Sequence, residues 1–415
     1  MSSNRERETC NSRHFTWLMK SCFPNPNDTV EPSLHPNSPT PSTTISSLPD
    51  DIVLDFLSRV PPSSLPSLSL VCRRWSLLLR SPHFSDLRRR RRLLRHTAFA
   101  LAATELGLSA ATLHDGAWTT SLFVPSFDAF SHDNFHSILS HARVASIGSR
   151  IFIVGRNATL QYDTWTASVS KRSPMLFPRK KFALAAVSGK LYVAGGGLRN
   201  AAVEEYDPRT DTWRVVSHAP RRRYGCVGAS VDGVFYVIGG LRIGASEQDV
   251  FSRAGGGAEA HAVYASSMDL FDVETRAWQR SRTVPGGGCV VAACAAAGRV
   301  YVLTSHAVEI SFWSFDSRKK CTGNNNNSNG NGGGRGNVCG EWCRIKSPPL
   351  AAQVRVDSRM RFSCVGMGDK VVLVQGTTTL NEGFVLVYDC VAGEWGKGVD
   401  LPEVYRRAAF VGVEC

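Results

Sequence analysis

Residues 189–213 read GKLYVAGGGLRNAAVEEYDPRTDTW. Lys190 to Ala194 alternates too little for a half-wet strand, so both faces are expected to be buried. Three glycines follow at once, which permit positive φ and close backbone approach where the strand leaves the core. A second strand ends in Tyr206-Asp207. The next residues, DPRTD, form a turn, because Asp207 can bond its own backbone and Pro208 presets φ. Trp213 then opens an outer strand. A unit of this kind cannot bury its faces alone.

The pattern recurs, and a fixed repeat decides the fold. GVFYVIGG begins 44 residues later at Gly233, and FDVETRAW ends at Trp278. Asp207 to Trp213, Asp272 to Trp278 and Asp389 to Trp395 share one six-residue spacing. Weaker copies are RIFIVGR at 150–156 with YDTW at 162–165, and GRVYVLTS at 298–305 with SFDSRKKC at 314–321 and Trp342. Trp118, Trp165, Trp213, Trp278, Trp342 and Trp395 thus mark six units. Small antiparallel sheets stacked radially give a β-propeller. These units resemble kelch repeats in their double glycine, Tyr-Asp pair and spaced Trp. Arg179 to Pro285 carries the best match.

The chain ends in RRAAFVGVEC, residues 406–415, a lone apolar strand left over after the last unit. The first unit, which begins HTAFALAATELG at His96, lacks one strand. The segment from about Arg406 to Val413 is expected to complete the sheet of Trp118, removing an open edge. The fold expected is mostly β: a six-bladed kelch-type propeller over residues 97–415, closed by its C-terminus.

Ahead of the repeats the period changes. In SLPDDIVLDFLSRVPPSSLPSLSLVCRRWSLLLRSPHFSDL, residues 47–87, Ile52, Val53, Phe56, Leu57 and Val60 recur at helical spacing. Ser47 or Asp50 can cap that helix, and Pro61-Pro62 stops it. A second helical run holds Leu65, Leu68, Val71, Cys72, Trp75 and Leu79. So short a unit cannot bury a sufficient core, and its exposed apolar surface points to a partner. Leu48-Pro49-Asp50-Asp51, Leu57-Ser58-Arg59-Val60-Pro61, and Val71-Cys72-Arg73-Arg74-Trp75 with Ser81-Pro82 resemble an F-box, over about residues 46–87. An F-box followed by kelch repeats is similar to a plant-type family. That resemblance implies a substrate receptor of a Skp–cullin–F-box ubiquitin ligase, whose F-box docks the Skp adaptor and whose propeller holds the protein to be ubiquitinated. It also implies Leu48, Pro49, Ile52, Leu57, Val60 and Trp75 as adaptor-facing or helix-positioning residues.

The formal charge of +13 favours an acidic partner. Loops between blades and after the glycines hold Arg179-Lys180-Lys181, Arg221-Arg222-Arg223-Tyr224, Arg359, Arg361 and Arg406-Arg407, with Arg199 and Arg242. Guanidinium groups bind carboxylates and phosphates bidentately. These residues form the expected substrate surface, for an acidic or phosphorylated segment; Arg156 is a further post-glycine residue, and Arg143 is a weaker member. LRRRRRLLRH, residues 87–96, is read as a basic linker helix over 88–96, solvated or serving nuclear import. DNA binding is not expected, since no aromatic-interleaved groove or reading helix accompanies the arginines. A scaffold or nucleic-acid-associated regulator acting outside ubiquitination is the alternative.

Residues 1–45 read as a disordered tail, rich in Pro, Ser, Thr and Asn beyond Phe23. No apolar run is long enough to cross a membrane, and no secretory signal is seen, so a cytoplasmic or nuclear protein with reduced thiols is expected. Twelve cysteines occur without a C-x-x-C pair, and a zinc site at Cys339 and Cys343 would want two more ligands. The histidines do not recur at equivalent repeat positions, and no nucleophile–base pair stands at motif spacing. Neither metal, cofactor nor catalysis is expected.

Overall fold

The computed structural model describes residues 45–104, 107–114, 116–123, 142–197, 200–242, 264–306, 309–319, 340–350, 361–376, 384–405 and 408–415. Nearly all of the expected N-terminal tail, an insert at residues 243–263, the Asn/Gly-rich insert at residues 322–337, Cys339, Arg199, Arg359, Arg406 and Arg407 lie outside the described residues. The chain divides into two units, residues 1–49 and 50–415. In the first, Ile45–Ser47 form one 3-10 turn, and Leu48 donates its N–H to the Ile45 carbonyl at 3.4 Å.

The second unit begins with four helices: α1 (Asp50–Arg59), α2 (Leu65–Ser69), α3 (Arg73–Leu79) and α4 (Pro82–Arg90). The single run expected after Pro62 is two helices. Cys72 ends the break between them, its sulfur capping α3 by accepting from the Trp75 N–H at 3.5 Å. Ser81 caps α4 by accepting from the Phe84 N–H at 3.3 Å. No separate linker helix exists over 88–96, because Arg88, Arg89 and Arg90 are the last turn of α4. That placement suits their charge, since cations are favoured at a helix C-terminus.

Six four-stranded antiparallel sheets follow. Blade I holds β1 (His96–Thr104), β2 (Gly107–His114) and β3 (Ala117–Phe123). Blade II holds β4 (Arg143–Ile147), β5 (Arg150–Val154), β6 (Thr159–Asp163) and β7 (Ser168–Arg172). Blade III holds β8 (Ala183–Val187), β9 (Lys190–Ala194), β10 (Ala202–Asp207) and β11 (Thr212–His218). A two-residue strand β12 (Arg223–Tyr224) then precedes blade IV, which holds β13 (Val227–Val231), β14 (Val234–Ile238), β16 (Ser267–Asp272) and β17 (Ala277–Thr283). Between β14 and β16 lies β15 (Leu241–Arg242), which pairs with β12. Blade V holds β18 (Cys289–Ala296), β19 (Arg299–His306), β20 (Glu309–Asp316) and β21 (Glu341–Ile345). Blade VI holds β22 (Arg361–Met367), β23 (Lys370–Gly376), β24 (Val385–Asp389) and β25 (Glu394–Lys397).

The last strand, β26 (Ala409–Glu414), pairs with β1 in antiparallel register, Phe99 opposite Val411, and so becomes the inner strand of blade I. The inner strands β4, β8, β13, β18, β22 and β26 each meet the next, and β26 meets β4, which closes the ring. Gly366 and Gly412 let these strands approach, since a Cβ on Gly366 would strike the Ala295 carbonyl and one on Gly412 the Gly366 carbonyl. The core lies between blades. Phe152 and Val154 of blade II pack with Leu191, Val193, Tyr206 and Trp213 of blade III, for example.

The repeat signature has a physical account at each position. Leu191, Val193 and Ala194 of β9 have no exposed surface, and Tyr192 is 4% exposed. Asp207 accepts from the Arg209 N–H at 2.9 Å, and Asp272, Asp316 and Asp389 close their turns the same way. The Trp indoles reach the exit of the preceding blade. Trp213 donates to the Ser173 carbonyl, Trp278 to the Ser217 hydroxyl, Trp395 to the Lys346 carbonyl and Trp118 to the Val399 carbonyl. Blades II and V depart from this: Trp165 sits within the turn rather than on the outer strand, and the buried Trp342 indole N–H has no hydrogen-bond partner among the described residues.

Candidate functional site

Two surfaces carry the candidate residues, and helix geometry sets the first. Along α1, Val53, Leu54 and Leu57 point inward while Ile52 and Phe56 are 41% and 61% exposed. Leu65, Leu79 and Phe84 complete the helical interior. Leu70, Val71 and Leu77, from α3 and the break before it, are exposed apolar side chains. Of the residues expected to face an adaptor, Pro49 and Ile52 are exposed, while Leu48, Val60 and Trp75 are half-buried. Leu57, 3% exposed, is an interior residue. Phe56, Leu70, Val71 and Leu77 belong in the exposed set. Phe56 and Val71 stood in the helical pattern, but the pattern alone does not say which side of so small a bundle is covered.

The helices are seated on blade II. The Phe84 ring meets Trp165 edge-on at 4.8 Å. Arg150 donates to the Arg80 carbonyl at 2.8 Å, and Arg80 to the Ser168 hydroxyl at 3.1 Å. Arg95 and Cys415 exchange backbone hydrogen bonds of 2.8 and 2.9 Å beside α4. Arg88 and Arg91 of the basic run are spent on this assembly, whereas Arg89, Arg90 and Arg92 are exposed. Arg88 is 1% exposed and donates to the Ser58 and Val60 carbonyls at 3.3 and 2.9 Å. Burial pulls its guanidinium below the usual arginine range. Arg91 pairs with Asp55 and Ser58, tying α4 to α1, and that contact holds the Asp55 carboxyl below its ordinary value.

The second surface is one mouth of the propeller, where the loops of blades III and IV stack. Gly196 donates to the Arg223 carbonyl at 2.8 Å, Lys180 to the Gly196 carbonyl at 3.2 Å and Gly225 to the Lys181 carbonyl at 2.8 Å. The two basic triplets are therefore adjacent, though their side chains divide. Arg179 and Arg223, expected on the substrate surface, are each 1% exposed. Arg179 meets Glu204 at 2.8 Å and donates to the Gly195 and Ala202 carbonyls. Arg223 meets Asp269 at 2.8 Å and donates to the Gly239 and Tyr264 carbonyls. Guanidinium and carboxylate compensate each other's lost hydration, so neither arginine is available to a ligand.

What remains is Lys181 and Arg222, both exposed, with half-buried Lys180, and among the described residues none of the three makes an ion pair. Arg221 is half-buried, 3.5 Å from Asp269 and packed over the Tyr264 ring. Lys181 lies over the Tyr224 ring at 5.7 Å. Tyr224 is half-buried, and Arg242 and Arg361 are exposed. Arg156 is also exposed, whereas Arg143 is half-buried and donates to the Phe182 carbonyl at 3.1 Å. Among the described residues, no cluster of three or more His, Cys, Asp or Glu is placed to hold a metal ion.

Comparison with known proteins agrees with both halves. The F-box domain model matches residues 45–87, and the Kelch motif model residues 178–219. The Arabidopsis thaliana F-box/kelch-repeat protein At5g26960 is 54% identical, covering 98% of this chain and 99% of that one. This chain belongs to the F-box/kelch-repeat proteins. A second Arabidopsis F-box/kelch-repeat protein, At1g67480, is 28% identical over 47% of this chain and 54% of its own length. A solved structure described as "Structure of YjhT" is 17% identical, covering 64% of this chain and 84% of that one with a TM-score of 0.44. An F-box implies binding to a Skp adaptor, and a kelch propeller implies a protein substrate. The combination is that of a Skp–cullin–F-box substrate adaptor, and no enzymatic family is indicated.

Proposed function

We propose that this F-box/kelch-repeat protein is the non-catalytic substrate receptor of a Skp–cullin–F-box ubiquitin ligase. Its helices bind a Skp-type adaptor through Ile52, Phe56, Leu70, Val71 and Leu77, with Val60 and Trp75 positioning them, and Leu48 and Pro49 of the preceding segment bind the same adaptor. Its propeller mouth receives an acidic or phosphorylated segment of the protein to be ubiquitinated, through Lys180, Lys181, Arg222, Arg242 and Arg361. Ubiquitin transfer itself belongs to the associated ligase. The reading places the protein in the cytoplasm, the nucleus or both.

The observation that carries this is the exposed apolar set on helices whose interior is already filled. Phe56 at 61% and Leu70 at 85% exposure gain from burial only against another chain. The test is co-purification of a Skp adaptor and cullin with wild type and with a Leu48→Ala, Pro49→Ala, Phe56→Arg variant. Wild type is expected to bring down both partners. The variant is expected to bring down neither while keeping the wild-type melting temperature. Equal recovery from the two proteins would count directly against the assignment.

A further inference from the structure

Beside the loop stack, a depression of about 200 Å³ opens among blades III, IV and V. It is lined by Tyr224, Leu241, Ala265, Cys289 and Val290, with Gly225, Gly240 and Lys181. At about 30 Å³ per water, that is room for six or seven waters or one large side chain. Leu241, 50% exposed, is held there by the short β12–β15 ladder, which sets it opposite Tyr224. A hydrophobic side chain is thus fixed by backbone pairing in a place where it stays wet. Leu176 and Phe177, 54% and 38% exposed, lie on the loop that leads into Arg179-Lys180-Lys181.

Charge at the rim has one sign. Glu204 and Asp269 are 0% and 1% exposed and already face Arg179 and Arg223. Lys181, which lines the depression, and exposed Arg222, two residues before Tyr224, are left without a carboxylate among the described residues. We infer that the depression is an anchor subsite for the substrate. It takes one aromatic or aliphatic side chain of a protein segment whose neighbouring residues are carboxylates, held by Lys181 and Arg222. The inference rests on the reading that the mouth receives the substrate, and it adds the chemistry of the segment. Aliphatic walls suit a hydrophobic side chain rather than a base edge. The single aromatic lining the depression, Tyr224, already has Lys181 over its ring, so it gives no stacking platform for nucleic acid.

The test uses the full chain with its Skp adaptor and three fluorescein-labelled Gly/Ser peptides. One has a central phenylalanine flanked by glutamates. In the second the phenylalanine is serine, and in the third the glutamates are glutamine. Fluorescence anisotropy at low and high salt should show the first binding about tenfold or more tighter than the second, with an affinity that falls as salt rises. Leu241→Ser, or Cys289→Phe to fill the depression, should bring the first peptide to the level of the second. Lys181→Glu with Arg222→Glu should abolish the preference for the first peptide over the third.

Equal binding of the first two peptides, or wild-type affinity in both Leu241→Ser and Cys289→Phe, would overturn the anchor. Tighter binding of a labelled oligouridylate than of any peptide would overturn it as well. Adaptor binding in the same preparations separates this inference from the receptor reading. Retained adaptor with no peptide discrimination removes the anchor alone, whereas absence of the adaptor removes the receptor assignment.

Discussion

Blades III and IV differ from blades II, V and VI in one coupled device. In blade III, Arg179 joins Glu204 of β10 to the carbonyl of Gly195; in blade IV, Arg223 joins Asp269 of β16 to the carbonyl of Gly239. Both carbonyls belong to the double glycines, which all hold positive φ. Blade II has Gly155-Arg156 at that place, blade V Thr304-Ser305 and blade VI Gln375-Gly376. Among the described residues of those blades, Arg143 reaches only the Phe182 carbonyl. The double glycine and the buried arginine are thus one structural unit. On the proposed reading, recognition falls to their immediate neighbours, Lys180, Lys181 and Arg222.

The sharpest way to break that comparison is to remove an arginine from each kind of blade. Arg223→Ala strands Asp269 in the interior and should cost about 3–5 kcal/mol. Arg361→Ala, at an exposed position in blade VI, should stay within about 0.5 kcal/mol. Denaturant titration of both variants measures the contrast. Similar losses would mean that the buried pair has no special role in blade IV.

A smaller effect tests the glycine half of the unit. A Cβ on Gly196 would lie 2.6 Å from the Lys180 carbonyl and 2.7 Å from the Phe182 Cβ, at φ +73°. Gly196→Ala should therefore cost about 1–3 kcal/mol, read from the same titration. A loss well below that range would separate the double glycine from the loop stack.

Seen against these results, the legible and illegible parts of the sequence divide on physical grounds. The period, the Tyr-Asp turn and the left-over C-terminal strand are local patterns, and each corresponds to an observed feature. The split within Arg179-Lys180-Lys181 is not local. It depends on Glu204, 25 residues on, and for Arg223 on Asp269, 46 residues on and beyond an insert. The same holds for the helices. Phe56 and Leu57 are adjacent in an apolar stripe, and only the packing of α1 against α3 and α4 decides which is covered. One signal for the helix seat was visible but could not be interpreted. The second unit's tryptophan stands two residues after its Asp rather than six, and that displaced Trp165 is where Phe84 docks.

Smaller still are the repeated Asp turns, which the strong and the degenerate blades share. Asp207→Ala removes the acceptor for the Arg209 N–H and should cost about 0.5–1.5 kcal/mol. The Asp207 carboxyl sits below its ordinary 3.8, chiefly through that backbone hydrogen bond. A carboxyl depressed in the folded state takes up its proton more readily when unfolded. Its contribution is therefore complete above pH 3.8 and is lost as pH falls through the lower folded value. Melting temperatures of wild type and Asp207→Ala should converge as the pH is lowered through that window. A constant gap down to the acid transition would show that the charge is not what closes the turn.

The central claim is that two separate surfaces serve two partners, and one paired measurement tests it most directly. Phe56→Arg and the double variant Lys181→Glu, Arg222→Glu are expressed in cells with the proteasome blocked, and co-purifying proteins are quantified against wild type. The account predicts a double dissociation. Phe56→Arg loses the Skp adaptor and cullin yet keeps the remaining partners. The charge-reversed mouth keeps adaptor and cullin, and loses partners that bear acidic segments. Loss of both sets in both variants, or of neither in either, would contradict it.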